Sequence, residues 1–215
     1  MTTTALHPGW RVQLAVHRAV RRDLRRLSSA FEPGQKTPQA AILAYWDVTR
    51  EQLHEHHVFE DEVVWPLMRQ RLGTAVDALL DRNAQEHRDM AAAMEEFGTS
   101  AASMTADPAP ARAALGHLGE VIETHLAHEE ADVLPLIPDA FSLEDIAFFT
   151  AEAAKTNPPS AFLPWLLDDA PETDVDFFTG PMPPPVEKEL WSTWTPQWRA
   201  KVDALRLPST IPNQR

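Results

Sequence analysis

Apolar residues recur at alternating steps of three and four along four stretches before residue 138, the spacing that lines one face of an α-helix. The first stripe is Trp10, Leu14, Val20, Leu24, Leu27 and Phe31, and the second is Ile42, Trp46, Leu53, Val63 and Leu67. The third is Val76, Leu80, Met90, Met94 and Phe97, and the fourth is Ala111, Leu115, Leu118, Ile122, Val133 and Leu136. Helix-end signals fall between them. Glu32-Pro33-Gly34 ends the first run, Thr37-Pro38 opens the second and Gly73 closes it. Thr74 with Asp77 has capping-box spacing for the third, and Gly98 with the small, polar stretch to Asp107-Pro108 separates the third from the fourth. The pattern predicts an all-α fold: an up-and-down four-helix bundle over 1–138 and a helical extension over 139–215.

In the extension, Ser142 with Asp145 resembles another capping box, for a helix ending before Pro158-Pro159. Helices are expected over Ala161 to Leu167 and roughly Val186 to Leu205. Phe162, Leu163, Trp165, Leu166, Leu167, Phe177, Phe178, Trp191, Trp194 and Trp198 are too apolar for a disordered tail. The extension therefore packs on the bundle, covers an entry to it, or forms the face of a homodimer.

Each bundle stripe is interrupted by a histidine: His17, His56, His87 and His125. In the second and fourth helices a glutamate follows one turn later, Glu60 and Glu129, still facing inward. Buried ionised carboxylates are costly unless paired or bound to a cation. The two pairs also belong to a repeat, His56-x3-Glu60-x5-Pro66-Leu67 over His125-x3-Glu129-x5-Pro135-Leu136. His and Glu four apart share a helix face, so two such pairs can bracket two cations with the carboxylates between them. His17 and His87 then supply one further ligand each. This set is nitrogen and oxygen only, which suits iron or manganese better than structural zinc.

Composition narrows the chemistry. The 215 residues contain no cysteine, which excludes disulfides, thiolate metal sites and cysteine nucleophiles. All nine histidines lie between His7 and His128, whereas 11 of 19 prolines lie between Pro158 and Pro212. The formal charge of −13 argues against nucleic acid or an anionic membrane as partner. The N-terminus lacks the apolar core of a signal peptide, no run approaches a membrane span, and a cytoplasmic protein is expected. Arg18, Arg21, Arg22, Arg25 and Arg26 read as a solvated, ion-paired face, and His7, His117 and His128 as surface residues.

With these residues the chain resembles the hemerythrin-like family, also called the HHE cation-binding domain. The likeness rests on a His in the first helix, His-His-x-x-Glu-Asp-x-x-x-x-Pro from His56 to Pro66, Glu86-His87, and His-x-x-x-Glu from His125 to Glu129. It spans roughly residues 8 to 138. It implies a non-haem di-iron centre bridged by two carboxylates and an oxo or hydroxo group. Members bind O2 reversibly, sense O2 or iron, or handle peroxide and nitric oxide. The expected partner is thus O2 or a related small oxidant, with a di-iron oxidoreductase as the alternative.

The chain departs from the oxygen carriers, which place two histidines one turn apart on the third helix. Here the positions one turn either side of His87 are Asn83 and Ala91. One iron then keeps an exchangeable water or takes a substitute: His57 first, Glu86 and Asp61 after it. Tyr45 falls within about 20° of the His56 face and reads as a core aromatic with a satisfied hydroxyl ahead of an iron-side group. The ferritin-like pattern has one match, Glu51-x-x-His54, expected to face solvent.

Overall fold

The computed structural model describes residues 7–104 and 107–206; the extreme N-terminus, Thr105-Ala106 and the last nine residues lie outside the described residues. Helix α1 spans Pro8–Ala30, α2 Gln39–Phe59, α3 Trp65–Leu72, α4 Asp77–Ala102 and α5 Ala109–His128. The bundle closes as a ring in chain order, α1 on α2, α2 on α4, α4 on α5 and α5 on α1. That order is the up-and-down topology. Gly34 and Gly73, at φ of 89° and 70°, follow the first two helical runs in a conformation that costs glycine little. Among the described residues no helix is long and apolar enough to cross a membrane.

Two of the expected end signals act otherwise. Gly98 does not stop α4, which continues to Ala102; a Cβ there would lie 3.2 Å from Trp46 Nε1, so glycine permits a close helix contact. Thr74 and Asp77 form no capping box, because a 3-10 turn over Gly73–Val76 leads into α4 without a side-chain cap. Asp77 instead accepts a hydrogen bond from Arg69 at 2.9 Å.

The His-x3-Glu repeat has a structural consequence that periodicity missed. Glu60–Val64 and Glu129–Val133 are π-helical turns, in which the Trp65 and Leu134 N–H groups reach back five residues to the Glu60 and Glu129 carbonyls. A proline stands two residues after each, Pro66 and Pro135. Proline has no N–H for the carbonyl four residues earlier and its ring collides with it, so the turn widens. The extra residue advances the buried stripe by one: Val64 and Met68 are buried where Val63 and Leu67 were expected, and Ile137 where Leu136 was. Leu190–Trp194, ahead of Pro196, repeats the device in the extension.

A buried polar layer divides the bundle's apolar interior. One cluster runs from Val16, Leu27, Trp46 and Phe97 to Ile122 and Leu126; the other gathers Val64, Trp65, Met68, Leu80, Val133 and Ile137 at the opposite end.

Beyond the bundle, α6 (Ile137–Ala140) leads to α7 (Leu143–Thr156), which has the expected Ser142–Asp145 capping box. Next come α8 (Pro159–Leu167), α9 (Glu172–Thr179, not anticipated), α10 (Pro184–Glu189) and α11 (Thr195–Ala204). Helix α8 lies on α1, and α11 on α2. The arginines that join them are not the solvated face expected from sequence. Arg22 is 3% exposed and donates to the carbonyls of Trp165 at 2.7 Å and Asp168 at 2.6 Å. Arg18 donates to the Leu166 carbonyl at 3.0 Å, and Arg26 pairs with Asp168. Of the five, only Arg25 is exposed. Carbonyls at the end of α8 lack helical partners, and guanidinium groups from α1 supply donors there.

Candidate metal centre

The polar layer is where the interrupted stripes meet. His17 comes from α1, His56 and His57 from α2, His87 from α4 and His125 from α5, with Glu60 and Glu129 each at the first residue of a π turn. All six residues singled out from sequence converge there, and His57 joins them. His57 is buried, stacked on His87 with ring centroids 4.2 Å apart, and 5.2 Å from the His125 ring.

Three groups of these side chains bring one ligand-type atom each within 4.8 Å of one another: His57, His87 and His125; His17, His56 and Glu129; and His56, His57 and Glu60. Glu60 reaches both sides, with Oε1 3.4 Å from His56 Nε2 and Oε2 3.5 Å from His87 Nε2. Glu129 Oε2 lies 3.1 Å from His17 Nε2 and 3.5 Å from His125 Nε2.

Two of the outer ring nitrogens, on His17 and His125, are hydrogen-bonded, and that of His87 lies beside a carboxylate without hydrogen-bond geometry. His17 Nδ1 is 2.9 Å from Glu130, His125 Nδ1 is 3.1 Å from Glu86, and His87 Nδ1 is 3.0 Å from Asp61. A carboxylate on Nδ1 fixes the ring and leaves Nε2 as the inward lone pair, the arrangement usual behind metal-binding histidines. Glu86 and Asp61, considered from sequence as substitute ligands, thus stand behind histidines. Glu130 was not anticipated; its position next to Glu129 was the available signal. Gln13 was also missed, although it lies one turn before His17. Its side-chain amide donates to Glu60 Oε1 and lies 3.5 Å from Glu129 Oε1.

The inward atoms have no partners. Nε2 of His17, His56, His57, His87 and His125 and Oε2 of Glu60 and Glu129 are all buried without a hydrogen bond. Leaving so many buried polar atoms unmatched costs on the order of 1–3 kcal/mol each. A nitrogen and oxygen donor set aimed at one small volume fits cations of the iron or manganese kind.

Electrostatics show what the layer does without a cation. Burial lowers His56 to about 3 and His125 to about 4, and it drives His57 well below the ordinary histidine value. His17 goes the other way, to about 9, because Glu129 and Glu130 outweigh its burial. Burial and the neighbouring Glu129 push Glu60 well above the carboxylate range; Glu129 is held down to about 2 by His17 despite its own burial. Protons on His17 and Glu60 therefore relieve the repulsion. Cations would do the same while releasing those protons.

Several other candidates fall outside the layer. Tyr45 donates to Asp23 at 2.6 Å and accepts from Arg26 at 3.2 Å, which makes it a satisfied core residue. Glu51 and His54 are exposed, as expected. His117 is a surface residue, whereas His128 is half-buried with Nδ1 2.6 Å from Glu86; His7 is half-buried and caps α1 by accepting the Gly9 N–H.

Residues 9–137 match the family model described as the hemerythrin HHE cation binding domain. No curated protein and no solved structure matches the chain.

Proposed function

The chain belongs to the hemerythrin HHE cation-binding family, and from that premise we propose that it is a non-haem di-iron protein whose partner is O2 or a related small oxidant. The observation that carries the reading is the convergence of seven buried atoms without hydrogen bonds on three overlapping groups of side chains. In this reading His57, His87 and His125 would hold one iron, His17 and His56 would hold the other, and Glu60 and Glu129 would supply the carboxylate ligands. His57 makes good the histidine that Asn83 does not provide, and manganese is the second choice of metal.

Bound iron would supply the electrons exchanged with an oxidant. The protein's part is to orient, charge-balance and shield. Glu130 and Glu86 orient His17 and His125 through Nδ1, and Asp61 lies 3.0 Å from His87 Nδ1. The two buried glutamates offset cationic charge where water cannot. His17, Glu60, His87, His125 and Glu129 are at most 5% exposed, His57 is 6% exposed and the His56 side chain 10%, so the centre is largely shielded from bulk solvent. That enclosure favours a partner of a few atoms over a bulky organic substrate.

Protein purified from iron-supplemented cells is expected to carry about two irons per chain. Fewer than about one would overturn the di-iron reading. The reduced protein is then cycled through O2 addition and removal: a reversible spectral change supports binding or sensing, and irreversible oxidation with consumption of peroxide or O2 supports the oxidoreductase alternative.

A further inference from the structure

The layer is asymmetric in a way that the ligand set alone does not explain. One side carries three imidazoles, His57, His87 and His125; the other carries two, His17 and His56. Gln13 lies on the poorer side. It sits four residues before His17, on the same face of α1, and is half-buried at the margin of the layer. Its Nε2 donates to Glu60 Oε1, the oxygen that faces His56, and lies 3.5 Å from Glu129 Oε1. The opposite oxygen, Glu60 Oε2, faces His87 and makes no hydrogen bond.

An amide at this point differs from the carboxylates that stand beside the histidines. Glu130 and Glu86 hold His17 and His125 from behind, and Asp61 lies beside His87. Gln13 is the neutral donor, with two N–H hydrogens, no proton to lose and no charge to add. A cation held between His56 and Glu60 would draw on the Oε1 lone pairs that Gln13 now engages, leaving an N–H free for whatever binds on the two-histidine side. A hydrogen bond to an anion is worth about 1.5–3 kcal/mol, which corresponds to roughly 10- to 100-fold in affinity; a neutral diatomic gains far less.

Resting on the di-iron reading above, we propose that the Gln13 side-chain amide is the donor that selects small anionic ligands, peroxide-like or azide-like, over neutral diatomics at the two-histidine side of the centre. It deepens that reading by favouring, of the small oxidants it admits, the anionic peroxide-like one over O2 itself, and by naming the residue that makes the choice.

The test compares wild type, Gln13→Met and Gln13→Glu in the full chain. Three quantities are measured: iron per chain, azide affinity of the oxidised protein by absorption titration, and nitric oxide affinity of the reduced protein. Met keeps the length of the side chain and removes the donor; Glu replaces the donor with a charge that repels anions. The expected result is retained iron, azide binding weakened roughly 10- to 100-fold in Gln13→Met and further in Gln13→Glu, and nitric oxide binding within about twofold of wild type. If one variant loses iron, the azide-to-nitric-oxide ratio of the other decides. Loss of iron in both would assign the amide to steadying the carboxylates alone and overturn the proposal. Unchanged azide affinity, or equal weakening of both ligands, would also overturn it. Wild-type protein with fewer than about one iron overturns the di-iron reading itself, whereas a two-iron wild type with unaltered azide binding in the variants overturns only the role of Gln13.

Discussion

Two buried carboxylate clusters meet α1 only six residues apart, at His17 and at Asp23, about 9 Å along the axis. They meet burial in opposite ways. Asp23 is fully buried, yet each of its oxygens accepts two hydrogen bonds. Oδ1 takes Arg22 Nε at 2.9 Å and the Tyr45 hydroxyl at 2.6 Å; Oδ2 takes Thr49 Oγ1 at 3.0 Å and Trp165 Nε1 at 2.6 Å. Arg22 balances its charge, and the donors come from α1, α2 and α8, so the cluster fastens the extension to the bundle. At the layer around Glu60 and Glu129, seven inward atoms have no partner. A buried charge matched within the chain holds structure together. One left unmatched asks for something from outside.

The contrast is broken most forcefully at the unmatched cluster. Glu129→Ala is expected to leave the helices intact while iron falls from about two per chain to below one, because both cation groups lose a bridging donor. Metal analysis beside circular dichroism checks this; a variant that keeps its iron would remove Glu129 from the site.

Asp23→Ala should do the converse, keeping iron and losing stability. Arg22 would be left as an uncompensated buried cation, and the Tyr45, Thr49 and Trp165 donors would lose their acceptor, at a cost of about 3–5 kcal/mol. Denaturant unfolding at constant iron occupancy measures it, and a loss under about 1 kcal/mol would show the cluster to be dispensable.

A smaller effect comes from pH. Burial alone would raise Asp168, but the Arg26 hydrogen bond, the Arg22 and Arg26 cations and the Trp198 N–H hold it below the usual carboxylate value. A depressed carboxylate stabilises the fold fully above its unfolded value of about 3.9, and that contribution is lost as pH falls through the lower folded value. Acidification below about pH 4 should therefore loosen the extension, seen as a red shift in tryptophan emission, while emission stays constant between pH 5 and 7. Asp168→Asn should flatten the response.

The stripes made the bundle legible, because a helix must turn one apolar face inward whatever it packs against. His17, His56, Glu60, His87, His125 and Glu129 were legible for a related reason: a charged or polar residue on such a face is an exception that demands a cause. Val63 and Leu67 misled because helical periodicity assumes an unbroken 3.6-residue turn, and the prolines that break it act through a carbonyl four residues away. The buried Arg22 was illegible for a different reason. Its partners are carbonyls near the end of α8, more than 140 residues further along the chain.

The sequence by itself determined the four bundle helices, the faces they bury as far as the π turns and the residues that interrupt those faces, since each of these follows from spacing within one helix. Only the tertiary structure decided that His57 would join the layer, that Glu86, Asp61 and Glu130 would stand behind histidines, and that Tyr45 would turn to Asp23. Those outcomes depend on where side chains from different helices meet, and no local pattern encodes that distance.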